Sequence, residues 1–269
     1  MTRRSLAVLV CLCIGVIGAA QTPITTIYHQ VGIDQRLDSA VALDLPFRDE
    51  SGKDVMLGDY FGRKPVVLSL VYYQCPMLCT EVLNGMAEAF RSLTFTAGKE
   101  FTVVTVSINP RETPDLATQK KEMYVHQYGR PEAASGWHFL TGDEASIEKL
   151  AAAVGYHYLY DSSTGQYAHA TGIMVLTPGG KLSRYFYGIQ YEPKDLRFAL
   201  EDASNNAIGS PVDRILLLCY HYDPMTGKYG LVVANVLKIG GALTVIILGG
   251  FIALMLLRER RRKLHFAKS

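Results

Sequence analysis

The stretch Val66-Val-Leu-Ser-Leu-Val-Tyr-Tyr-Gln-Cys-Pro-Met-Leu-Cys-Thr80 decides how the chain is read. Val66, Val67, Leu68, Leu70 and Val71 form a short apolar run with the β-branched content of a buried strand. At Cys75-Pro76 the pattern changes to helical spacing, with Leu78, Val82, Met86 and Phe90 on one stripe that reaches about Ser92. Pro76 suits a first helical position, where a missing N–H costs nothing. A thiol at that place meets the unsatisfied amides and the positive end of the helix dipole, and both favour the thiolate. Cys79 follows one helical turn later, on the same side. Two such sulfurs suit a soft metal ion, a reversible disulfide, or both.

Strands and helices alternate on either side of this core. Upstream, Phe47 to Leu57 reads as a hairpin turning at Ser51-Gly52. Downstream, Phe101 to Ile108 is a β-branched strand, and Pro114-Asp115 opens a helix that runs to Tyr128. Trp137 to Thr141 is a short strand, and Asp143 caps a helix through Val154. Thr171 to Thr177 and Ser183 to Tyr187 form a hairpin around Pro178-Gly-Gly180, followed by a last helix from Pro193 to Asn206. The order implies an α/β fold, a central mixed sheet with helices on both faces, in the thioredoxin-like layout. The thioredoxin redox motif has two residues between its cysteines; here there are three.

Both ends carry membrane signals. A basic start (Arg3, Arg4), an apolar core from Leu6 to Ile17 and the small residues Gly18-Ala-Ala20 describe a signal peptide, 1–20. Ile239 to Leu257 is almost continuously apolar and about 20 residues suffice to cross a bilayer. The basic cluster Arg258, Arg260, Arg261, Arg262 and Lys263 places the following end in the cytoplasm. The expected organisation is an arm at 21–36, a thioredoxin-like domain at 37–206, a juxtamembrane extension at 207–237, a transmembrane helix at 238–258 and a basic tail at 259–269. In a bacterium this puts the domain in the periplasm, held on the inner membrane by its C-terminal helix. The net charge of +2, with the basic residues gathered in that tail, excludes a nucleic-acid partner. Of five cysteines, only Cys75, Cys79 and Cys219 lie outside the leader, too few for a disulfide-stapled fold.

A two-sulfur metal site needs a further ligand, and His126, His138, His157 and His169 are available in the domain. His169 stands out because Gln166-Tyr-Ala-His-Ala-Thr171, read as a loop, leads into the strand beginning at Thr171. In a thioredoxin-like fold that loop packs beside the start of the cysteine-bearing helix. The other three histidines read as structural or surface residues.

Together these motifs resemble the SCO/SenC family of copper-binding, thioredoxin-like proteins linked to cytochrome c oxidase assembly. The resemblance covers Leu37 to Asn206. It rests on Phe47…Gly52-Lys53…Leu57, Cys75-Pro-Met-Leu-Cys79, Ser107-Ile-Asn-Pro-Arg-Glu-Thr-Pro114, Trp137-His-Phe-Leu-Thr-Gly142 and the His169 segment feeding Ile173-Met-Val-Leu176. It implies Cys75, Cys79 and His169 as ligands for copper, as Cu(I), Cu(II) or both, and the CuA-bearing subunit of cytochrome c oxidase as the partner. Three positions depart from the family pattern. Asn109 and Ala168 stand where aspartate is usual, and Thr80 where a second proline often follows.

Two other activities use the same thiols. As a thiol–disulfide reductase, Cys75 would attack and Cys79 would resolve the mixed disulfide, keeping the oxidase cysteines reduced. As a peroxidase of the peroxiredoxin type, one cysteine would attack peroxide, an activity to which the paired spacing is less suited. Cys219, His221 and Met225 bring soft or borderline ligands together in the extension, a candidate second copper site beside the membrane.

Overall fold

A computed structural model describes residues 31–75, 78–209, 220–223 and 228–231, and six positions between 241 and 255. Leu78, Cys79 and residues 220–223 and 228–231 are described by their backbone alone. The expected leader, the basic tail, Pro76, Cys219 and Met225 lie outside the described residues.

The apolar run becomes strand β4 (Val66–Val71), all six residues of which are buried. It lies at the centre of a five-stranded sheet, as expected of a continuous run with no polar face. The sheet order is β10 (Leu182–Tyr187), β9 (Gly172–Leu176), β4, β5 (Thr102–Ser107) and β6 (Trp137–Leu140). β4, β5 and β6 are parallel, with Val67 opposite Val103 and Val103 opposite Trp137. β9 runs antiparallel to β4, with Val67 opposite Val175, and β10 antiparallel to β9. The parallel pairs are joined by helices: α1 (Leu78–Ser92) between β4 and β5, and α2 (Pro114–Tyr128) between β5 and β6. Helix α1 packs against α2 and against α4 (Pro193–Ser204), and α4 in turn packs on β9 and β10. Helix α3 (Glu144–Ala153) starts where expected, because the Asp143 side chain accepts from the Ser146 amide at 2.7 Å. The core is rich in aromatic rings: Trp137 is fully buried, stacks on Phe139 at 5.6 Å and meets Phe90 edge-on. The result is a mixed α/β fold around a central mixed sheet.

Three segments differ from the sequence reading. First, the His169 segment is not a loop: Gln166–His169 is strand β8, paired antiparallel to β7 (Tyr156–Asp161). The reason is the tyrosine-rich alternation of Tyr156, Tyr158 and Tyr160, followed by a turn. In that turn Asp161 accepts from the Ser163 amide at 2.9 Å, and Gly165 takes φ +70°. Second, the expected arm contributes β1 (Gly32–Ile33), which pairs with β7 and completes a three-stranded sheet. Third, the extension forms a hairpin of β11 (Tyr220–Asp223) and β12 (Lys228–Leu231), with His221 opposite Gly230. The Phe47–Leu57 hairpin is present as β2 (Pro46–Arg48) and β3 (Asp54–Met56), and Gly52 takes φ +81° at its turn.

Toward the C-terminus, Gly241, Thr244, Ile247, Leu248, Phe251 and Met255 are helical and exposed. Among the described residues, no helix is long and apolar enough to cross a membrane.

Candidate metal and thiol site

After Val71, the chain turns at Tyr72 to Cys75, where the Cys75 amide donates to the Tyr72 carbonyl at 3.3 Å. Two side chains hold that turn. Tyr73 is buried to 2% exposure and its hydroxyl donates toward the Leu140 and Thr105 carbonyls, at 2.7 and 3.1 Å. Burial first, then the charges of Glu112 and Glu50, push its phenol well above the ordinary tyrosine range, so it is a neutral donor. Glu112, itself buried, accepts from the Tyr73 amide at 2.7 Å and from the Gln74 amide at 2.8 Å. The carboxylate therefore ties the residues just before Cys75 to the loop between β5 and α2. Cys75 is 9% exposed at the mouth of this turn. The Thr80 hydroxyl lies 3.4 Å from the Cys75 carbonyl, so the first turn of α1 meets the cysteine turn. The backbone of Cys79 lies in the first turn of α1.

Asn109 shapes that loop with both its side chain and its main chain. Its side-chain oxygen accepts from the Arg111 amide at 3.1 Å, and its carbonyl accepts from the Glu112 amide at 3.1 Å. These bonds fold the loop that presents Glu112.

His169 ends β8, opposite Tyr158. Its ring meets the Tyr72 ring edge-on, with centroids 5.8 Å apart. On the other side, Nδ1 is 2.8 Å from the Tyr156 hydroxyl and 2.8 Å from the Ala170 carbonyl. The Tyr156 hydroxyl also reaches the Leu70 carbonyl, at 3.1 Å, on strand β4. The imidazole is therefore connected to the last residues of β4 and packed on the first residue of the turn that ends in Cys75. Among the described residues no group of three His, Cys, Asp and Glu side chains forms a metal-ligand set.

The other histidines sit elsewhere in the bonding pattern. His138 lies 3.6 Å from Glu50 and its ring packs on Tyr60, while His157 meets Asp34 at 2.9 Å. His126 lines a cavity of about 760 Å³ beside α2, with Thr118, Lys121 and Val125.

Sequence reasoning missed the tyrosines around His169. Tyr72 and Tyr167 have centroids 5.6 Å apart, Tyr158 and Tyr167 5.9 Å, and Tyr160 and Tyr167 5.0 Å. The Arg111 guanidinium stands 5.0 Å above the Tyr160 ring. Burial, with the charges of Glu148 and Glu144, pushes the Tyr158 phenol up to about 12, so that hydroxyl is neutral at neutral pH. The period-2 spacing of Tyr156, Tyr158 and Tyr160 was the signal available for it.

A family model described as SCO1/SenC matches residues 34–203. Compared with curated proteins, the chain finds no match. Among solved structures, a putative electron transfer protein from Aquifex aeolicus is 23% identical with a TM-score of 0.56, covering 63% of this chain and 95% of its own. A SCO1/SenC family lipoprotein from Bacillus anthracis is 19% identical at 0.50, covering 65% and 98%. BsSco, a member of the Sco family of cytochrome c oxidase assembly proteins described with a disulfide switch, is 20% identical at 0.50, covering 64% and 97%.

Proposed function

The chain belongs to the SCO1/SenC family, and from that premise we propose that it is a copper carrier for cytochrome c oxidase assembly, delivering the ion to the CuA-bearing subunit. The ligands are Cys75, Cys79 and His169. The observation that carries this reading is the placement of the His169 imidazole against Tyr72, three residues before Cys75. Thiolates suit Cu(I) and an imidazole accommodates Cu(II) as well, so two sulfurs and a nitrogen hold either state. Copper is the cargo: it leaves by ligand exchange, the acceptor's thiolates replacing the donor's. Protons compete for thiolate and imidazole, so retention weakens as the pH falls.

The reading includes an exported domain on the inner membrane, anchored by residues 238–258. Ile247, Leu248, Phe251 and Met255, apolar yet exposed on a helix, support that anchor. Resistance of the membrane-bound protein to alkaline extraction, lost on truncation before residue 238, tests it.

A thiol–disulfide exchange role is favoured by Cys75 lying just ahead of α1, and BsSco is a relative described with a disulfide switch. His169 separates the two roles. Copper analysis of the purified chain should show one bound ion, lost in Cys75→Ser, Cys79→Ser and His169→Ala and kept in Cys219→Ser. Thiol exchange should survive His169→Ala. If Cys219→Ser removes the copper and His169→Ala does not, the ligand set is wrong and the extension is the site.

A further inference from the structure

We propose that Tyr156 is the positioning residue for His169, fixing its tautomer and tying it to the strand that leads to Cys75. The consequence for copper rests on the reading above; the tautomer does not. Register explains why this tyrosine is at hand. His169 pairs with Tyr158, so Tyr156, two residues earlier on the same strand face, is its diagonal neighbour. Tyr156 is only 2% exposed, which leaves its hydroxyl to bond within the protein.

The Tyr156 hydroxyl, His169 Nδ1 and the carbonyl oxygens of Leu70 and Ala170 meet there. The hydroxyl is 2.8 Å from Nδ1, 2.8 Å from the Ala170 oxygen and 3.1 Å from the Leu70 oxygen, and Nδ1 is 2.8 Å from the Ala170 oxygen. Carbonyls only accept. If Nδ1 were unprotonated, one phenolic proton would face three acceptors, and the Nδ1 lone pair would oppose the Ala170 oxygen. With the proton on Nδ1, two protons serve the two carbonyls and the phenol oxygen accepts. The network therefore assigns the proton to Nδ1 and the lone pair to Nε2, the atom that would ligate.

The same hydroxyl measures the site. Ladder pairing between β4 and β9 runs from Val66 to Ser69, and the next residue, Leu70, is met by Tyr156 instead. A single side chain from β7 thus joins the end of β4, which leads to Cys75, to the imidazole on β8. A carboxylate on Nδ1 would fix the same tautomer and add negative charge, making the imidazole more basic; the phenol fixes it without that charge.

The test is nitrogen NMR of the histidine-labelled, metal-free full chain in detergent at about pH 8, above the ordinary imidazole pKa. Wild type, Tyr156→Phe and the neighbouring control Tyr158→Phe are compared, and each is then titrated with Cu(I) against a competing chelator. The expected result is an Nδ1-protonated His169 in wild type and Tyr158→Phe, and a mixed tautomer in Tyr156→Phe. Copper affinity should fall about tenfold in Tyr156→Phe alone, as for other residues that orient a ligand. An Nε2-protonated His169 in wild type overturns the assignment, and so does a Tyr156→Phe variant with unchanged tautomer and affinity. Should that variant fail to fold, the wild-type nitrogen pattern decides. If wild type binds no copper, the carrier reading fails, while the nitrogen signals still decide the role of Tyr156.

Discussion

Cys75 follows a turn tied down by a buried carboxylate, whereas His169 ends a hairpin tied down by a phenol and two carbonyls. On the cysteine side, Glu112 accepts from two consecutive amides that have turned away from any strand. On the histidine side, Tyr156 shares neutral hydrogen bonds with Leu70, Ala170 and the imidazole. The difference teaches how failure would spread. Charge-assisted bonds are stronger, so Glu112 carries the larger share of the hold on the cysteine turn, and its loss leaves the buried Tyr73 amide unmet. The neutral network has several members, so losing one hydroxyl costs little stability, but it frees the imidazole to mix its tautomers.

The largest effect should come from the charged anchor. Glu112→Ala strips the acceptor from the Tyr73 and Gln74 amides and should cost about 3 kcal/mol in urea unfolding. Alkylation of Cys75 should accelerate in the same variant, with Glu112→Gln intermediate in both. A loss below about 1 kcal/mol would show that the turn is held by Tyr73 and the sheet instead.

Glu50 offers a second, half-buried carboxylate, bonded to Lys121 on α2 and to the Phe139 amide on β6, with which to sharpen the contrast. Burial works to raise its pKa, but His138, Lys121 and the amide of Phe139 overcome that and hold it at about 2 against an ordinary 4.5. Its folded value is depressed, so the stabilisation is complete above about pH 4.5 and is lost as the pH falls toward about 2. Acid unfolding should register on the order of 3 kcal/mol over that window. Glu50→Gln should flatten that part of the curve and leave copper stoichiometry at neutral pH unchanged. A change in copper binding would mean the two carboxylate regions are coupled.

The smallest effect belongs to the neutral anchor. Tyr156→Phe keeps the buried ring and loses one hydroxyl, so stability should drop by only about 1 kcal/mol in the same urea experiment. A loss as large as that of Glu112→Ala would erase the distinction between the two anchors.

The uneven legibility of the sequence has the same physical origin. β4, β5 and the Asp143 cap were readable because each is a local pattern: an apolar run, a β-branched run, an acid one turn before the amide it caps. The β7–β8 hairpin had local signals too, in Tyr156, Tyr158, Tyr160 and Gly165, but an apolar-alternation template does not score partly exposed tyrosines as one packed face. Glu112 and Tyr156 gave no signal. Their partners, at Tyr73, Gln74 and Leu70, are far away in sequence and are main-chain groups, which residue type does not reveal. Asn109 and Ala168 looked like equivalent deficits. Asn109 still bonds its loop through an amide oxygen, whereas Ala168 lies on the strand face away from His169, whose ring meets a phenol from the neighbouring strand.

The central claim, that two sulfurs and the His169 imidazole converge on one ion, is tested most directly by copper X-ray absorption on the Cu(I)-loaded full chain. Two sulfur neighbours and one nitrogen are expected in wild type, with the nitrogen and stable retention of copper both lost in His169→Ala. An identical coordination shell in the wild type and in His169→Ala would contradict the account.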